Sequence, residues 1–122
     1  MFSNLSFNIK SKALELGFQK IGIAQAVPTP VEKANLDTWL QKGQHGSMEW
    51  IVKRKNERGD IFEYFPGAKS VISVGMNYYS GHDQNDLQSE YKISNYAWGD
   101  DYHDILKSGL FKLLGWLKEE VS

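Results

Sequence analysis

The stretch from Asp101 to Val121 constrains this chain most. At 100° per residue, Tyr102, Ile105, Leu106, Leu110, Leu113, Leu114, Trp116 and Leu117 share one side of a helix, with Phe111 beyond them. They span about half the circumference, against a stripe of roughly 100° on an ordinary surface helix. Such a helix needs apolar partners on more than one side. Gly109 and Gly115 interrupt it at about 1 kcal/mol each relative to Ala, so close packing is expected at both. The face is wider than 122 residues easily cover. The chain therefore reads as part of a larger protein, and self-association through this face is expected.

The other elements are shorter. Leu5, Ile9, Ala13 and Leu16 follow at spacings of four, four and three, an opening helix with Gly17 at its C′ position. Phe18 to Ala24 reads as a strand, and Gly22 within it predicts a bulge or a close backbone approach. Thr29-Pro30 is a helix entry, with Glu32 in the first turn and Leu36, Trp39 and Leu40 as the buried stripe of a helix ending near Gly43. Ser47 is placed to cap a helix from Met48 to about Arg58, with Met48, Ile51 and Val52 facing inward. Lys69 to Tyr79 is the clearest strand, and its near-continuous apolar run predicts a central position covered on both faces. Ser80 to Lys92 is polar and reads as a long loop. The expected fold is α+β, with helices packed on a small mixed sheet in one domain over residues 1–122, without internal repeats.

Composition narrows the function. Lys plus Arg is 14 and Asp plus Glu is 15, a net charge of −1 that argues against a dedicated nucleic-acid coat, though not against a local basic patch. Hydrophobic residues at 41% exclude global disorder. No apolar run reaches the roughly 18 residues of a membrane helix, and the first residues do not form a secretory signal, so a cytoplasmic protein without membrane contact is expected. There is no cysteine, which removes disulfides, thiolate metal sites and cysteine-ligated clusters from these residues. The sequence has neither a G-x-G-x-x-G nor a phosphate-loop motif, and Val71 stands where a nucleophile elbow needs glycine. His45, His82 and His103 are 37 and 21 residues apart, without metal-ligand spacing, so no metal site is expected.

Four segments can carry chemistry. Tyr96-Ala97-Trp98-Gly99-Asp100-Asp101-Tyr102-His103 gathers aromatics, carboxylates and a histidine at a loop-to-helix junction, where Asp101, Tyr102 or His103 can move a proton. The same residues also read as a helix start, with Asp100 as cap and Asp101 and Asp104 at the positive end of the dipole. The two readings pull apart. A helix N-terminus lowers a carboxyl pKa, whereas an acid working near neutral pH needs it raised by desolvation. Gln44 to Trp50 is a helix connection whose glycines also let backbone approach a flat ligand, with His45 and Trp50 at its rim. Lys53-Arg54-Lys55 with Arg58 is either a solvated face or a phosphate contact. Asn77 and Tyr78 sit at a strand end, where ligands of sheet folds gather.

In this order the segments resemble the N-terminal region of the epoxyqueuosine reductase family. The resemblance rests on Leu16-Gly17-Phe18 with Ile21-Gly22-Ile23-Ala24, His45-Gly46 with Met48 and Trp50, and Arg58 with Asp60. It continues through Val71-Ile72-Ser73-Val74, Met76-Asn77-Tyr78, Tyr96-Ala97, Gly99 and Asp101-Tyr102-His103. It departs at Asn95, where the family has a basic residue, and at Ile61, where it has proline. It implies an incomplete N-terminal part of a cobalamin-binding reductase domain, with the ferredoxin-like domain holding 4Fe-4S clusters and the helical-repeat domain lying outside these residues. The implied reaction reduces epoxyqueuosine to queuosine in tRNA, with Asp101 as the acid. His45, Trp50, Asn77, Tyr78, Tyr96, Tyr102 and His103 would then line a cobalamin or substrate pocket. Without cysteine, the 122 residues alone are expected to be inactive. The rival readings are a dehalogenase-like cobalamin reductase acting on a small molecule and a free-standing binding or scaffold domain.

Overall fold

The computed structural model describes residues 2–77 and 101–121. The element order is α1 (Phe2–Glu15), β1 (Lys20–Gln25), α2 (Pro30–Gln41), α3 (Glu49–Lys53), α4 (Lys55–Gly59), α5 (Ile61–Tyr64), β2 (Ser70–Gly75) and α6 (Tyr102–Val121). β1 and β2 form a two-stranded sheet. Gln19 N–H donates to Gly75 O at 3.0 Å and Ala26 N–H to Lys69 O at 2.9 Å, so the strands run antiparallel. The architecture is α+β, as the sequence implies. The contacts divide it into two compact units, one containing Met1–Gly22 and Ser73–Ser122, the other Ile23–Ile72.

In the first unit, α1 buries the face its spacing predicts: Ile9 and Ala13 are buried, Leu5 and Leu16 half-buried. Its end explains the core. Gly17 takes φ +103°, Phe18 N–H donates to Ala13 O at 3.0 Å, and Gly17 N–H donates to Leu14 O at 3.1 Å. This paired closure satisfies the last carbonyls and folds Phe18 back over the helix it follows. Phe18 is 1% exposed and packs with Ala13 and Leu113, flanked by Ile21, Val74, Met76, Leu106 and Trp116. Phe18 is thus a core plug rather than a strand residue, and β1 starts two residues later. Gly22 shows no close approach, because an added Cβ would meet nothing within 4 Å. Gly109 of α6 does: a Cβ there would lie 2.7 Å from Phe18 Cζ, so only glycine lets the helix touch the ring. Gly115 has open space around it, contrary to expectation. Ile105, Leu110, Phe111 and Leu114 of α6 remain exposed.

β2 ends at Gly75, before the predicted Tyr79, and has β1 as its one neighbour among the described residues. None of its side chains is fully buried, so the doubly covered central strand is not found there.

In the second unit Thr29 precedes α2, with Pro30 at its start. The Thr29 hydroxyl makes no cap bond and instead donates to Gly59 O at 3.2 Å. A Cβ on Gly59 would lie 2.4 Å from Lys33 Cγ, so the end of α4 passes close to α2. Leu36, Trp39 and Leu40 are half-buried rather than buried. The single helix expected over Met48 to Arg58 is two. Ser47 does not cap it, Met48 precedes α3 and is 41% exposed, and Arg54 breaks the run at φ −110° and ψ 13°. Ile51 and Val52 are half-buried as expected. Asp60 caps α5, its carboxylate accepting from Phe62 N–H at 2.9 Å.

Candidate functional site

The sequence-predicted site residues fall in both units. Asn77, Asp101, Tyr102 and His103 belong to the first, His45 and Trp50 to the second. Tyr78 and Tyr96 lie outside the described residues, as do Ala97 to Asp100.

Asp101 immediately precedes α6 and is itself the cap, the role the sequence reading gave to Asp100. Its Oδ1 accepts from the His103 backbone N–H at 2.9 Å and lies 2.9 Å from His103 Nδ1. Its carbonyl accepts from Asp104 and Ile105 N–H, closing the first turn. The Tyr102 and His103 rings stack with centroids 4.0 Å apart. Asp101 therefore titrates below the usual aspartate range. The His103 backbone N–H is the largest cause, then the hydrogen bond with the His103 ring; desolvation opposes them, and the charges of His103 and Lys107 add to the lowering. The side chain is 59% exposed.

The sign of the pH dependence follows. A carboxyl whose folded pKa lies below its unfolded value stabilises the fold above the unfolded pKa. That contribution fades as pH falls through the folded pKa. An NMR titration is expected to find Asp101 titrating below free aspartate, with the first turn of α6 losing helical shifts through that same point. A titration at or above the free value would contradict the cap.

Beside Asp101 is an open pocket of about 550 Å³. Leu16, Met76 and Ile105 give it apolar walls, while Asp101, Asp104 and Lys112 give it charge. Capping Asp101 and the α6 residues Asp104, Ile105, Ser108, Gly109 and Lys112 recur at helical spacing, so one helix face lines the pocket. Sequence reasoning missed Ser108 and Lys112 because it followed the apolar side of this helix. The signal was the polar wheel of the same residues. Asn77 follows Met76, and its N–H donates to the Gln19 side-chain oxygen.

In the second unit His45 sits in a turn between Gly43 (φ +68°) and Gly46 (φ +60°), conformations that favour glycine. Its side chain is 12% exposed. Nε2 lies 3.6 Å from Glu49 Oε1, and Nδ1 is buried without a hydrogen-bond partner among the described residues. The ring centroid is 6.0 Å from that of Trp39. An open pocket of about 540 Å³ adjoins it, lined also by Lys33, Asp37, Glu49, Lys55 and Asn56. Trp50 does not line this pocket. It is 56% exposed, with the Arg58 guanidinium 5.1 Å above its ring. Among the described residues no helix is long and apolar enough to cross a membrane.

Comparison with known proteins adds the family context. Residues 58–122 match the family model described as Epoxyqueuosine reductase QueG, DUF1730. An epoxyqueuosine reductase of Cyclobacterium marinum is 38% identical over 113 residues, covering 93% of this chain and 36% of the relative. One of Prochlorococcus marinus is 36% identical over 120 residues, 96% of this chain and 37% of the relative. One of Aliivibrio fischeri is 41% identical over 125 residues, 98% of this chain and 33% of the relative. The chain thus spans about a third of the length of these curated relatives. No solved structure matches it.

Proposed function

This chain belongs to the epoxyqueuosine reductase family, and from that premise we propose that it is the N-terminal part of an enzyme that reduces epoxyqueuosine to queuosine in tRNA, with Asp101 as the proton donor. The carrying observation is the carboxylate at the start of α6 on a pocket with apolar walls, inside the region that matches the family. Reductive removal of an epoxide oxygen takes up two electrons and two protons. Both C–O bonds break, a C=C bond forms and water leaves. A positioned acid is needed for the departing oxygen.

Asp101 in the chain as it stands is ionised at neutral pH, so it donates only if its surroundings become less polar. The pocket residues suit that change. Leu16, Met76 and Ile105 offer an apolar surface beside the carboxylate on which a large flat ring system, such as the corrin of cobalamin, can rest and exclude water. Cobalamin, when bound, supplies a cobalt centre that passes electrons to the substrate. Oδ1 of Asp101 is engaged by His103, which leaves Oδ2 to carry the proton. His103 fixes the rotamer of the acid, and Tyr102 stacks on His103 to hold its ring. The 4Fe-4S clusters of the proposed enzyme need ligands from outside these residues, because the 122 contain no cysteine. The chain alone is therefore inactive in this reading, and the protein acts where tRNA is modified, in the cytoplasm.

The test is the nucleoside composition of tRNA from cells that lack their own epoxyqueuosine reductase and carry the complete gene containing this chain. Queuosine is the expected product. Epoxyqueuosine persisting unchanged would overturn the proposal.

A further inference from the structure

The basic segment of α3 and α4 has no part in the chemistry above, yet its geometry is specific. Trp50, Lys53 and Arg54 stand at positions i, i+3 and i+4, on one side of the short helix and its exit. Arg58 returns from α4 to lie over the Trp50 ring, its guanidinium carbon 5.1 Å from the ring centroid. Trp50 still leaves 56% of its surface exposed. Lys53 makes no ion pair among the described residues, and Arg54 is 63% exposed in a surface pair with Glu57 at 3.0 Å. Surface pairs of that kind are worth little and yield to a competing anion. Lys55 lines the His45 pocket instead and is left out of the patch. Both arginines of a chain with net charge −1 stand in this segment, Arg58 on the half-uncovered Trp50 ring and Arg54 one helical turn on from Trp50.

We propose that this face docks unpaired RNA, with a base stacked on Trp50 and Arg58 and the neighbouring phosphates met by Lys53 and Arg54. An exposed aromatic ring is a sequence-tolerant platform for any base once it is unstacked. Adjacent cations follow the backbone, and a guanidinium plane extends the stacking surface. A paired helix offers phosphates but no free base face, so the patch discriminates strand from duplex. The inference rests on the tRNA part of the reading above and names the surface that would hold an unpaired stretch of that RNA.

The test is fluorescence anisotropy of the purified chain with a labelled single-stranded RNA dodecamer of mixed sequence. Two cations at phosphates, Lys53 and Arg54, predict a slope of about −1.4 for log affinity against log salt. The double variant Lys53→Glu with Arg54→Glu is expected to weaken binding at least about tenfold. Trp50→Ala is expected to weaken it about tenfold, and Trp50→Phe to keep it within about threefold of the parent. Circular dichroism spectra superimposable on the parent's establish that the variants are folded. Three results would overturn the inference: unchanged affinity of the Lys53/Arg54 variant, equal affinity for the same sequence as a duplex, or capture on phosphatidylserine vesicles without RNA binding. No turnover is read, so the outcome is separate from that of the nucleoside analysis. RNA binding lost with these residues while epoxyqueuosine persists in tRNA would leave this face standing and remove the reductase reading. The reverse result would remove this face alone.

Discussion

Replacing Phe18 by alanine is expected to destabilise the first unit by about 3–5 kcal/mol, the usual range for a buried phenylalanine. The ring is 1% exposed and closes the space between Ala13 and Leu113. Gly109 brings the α6 backbone against it, so no side chain on that helix position can swing in to fill the cavity. A small domain has a total stability of roughly 5–15 kcal/mol, so one such loss is a large share. Chemical denaturation followed by far-ultraviolet circular dichroism reads it through α1 and α6. Phe7→Ala is the control. That ring is 70% exposed on α1, and its removal is expected to change stability by less than about 0.5 kcal/mol. Phe18→Ala unfolding at the parent's denaturant concentration would contradict the placement of the core.

The elements written in a single period were the ones the sequence made legible. Leu5, Ile9, Ala13 and Leu16 mark the α1 face, Gly17 marks its end, and Thr29-Pro30 and Gly43 bracket α2. What the sequence hid depends on tertiary contact. Phe18 follows a turn glycine and looks like the first residue of a strand, but the closure of α1 folds it inward before β1 begins. The break at Arg54 carries no glycine or proline, so nothing local announces two helices rather than one. Gly109 and Gly115 look alike in the pattern, and only the position of the Phe18 ring separates a required glycine from an unconstrained one. The site was partly readable. The Asp101-Tyr102-His103 run stood out as a junction, although the capping carboxylate is Asp101 itself. Leu16 and Met76 join it in the pocket from elements distant in sequence, which no local pattern reports.

Asp101→Asn carries the largest expected effect on activity. Asparagine caps helices about as well as aspartate, and its carbonyl oxygen can still accept from His103 N–H, so the start of α6 is expected to persist. An alanine there would confound the two roles by removing the cap as well. Asparagine has no acidic proton for the departing oxygen. Loss of a positioned acid lowers rates by about 10²–10⁴-fold. The change should fall on conversion alone, because the apolar members of the pocket, Leu16, Met76 and Ile105, are untouched.

The most direct test of the account is therefore made on the proposed full-length reductase and on its Asp101→Asn variant. Conversion of epoxyqueuosine to queuosine in tRNA is measured beside the amount of corrin that copurifies. The account predicts corrin retained at the parent's level and conversion reduced at least about a hundredfold. Conversion by the asparagine variant at the parent's rate would contradict it and remove Asp101 from the reaction.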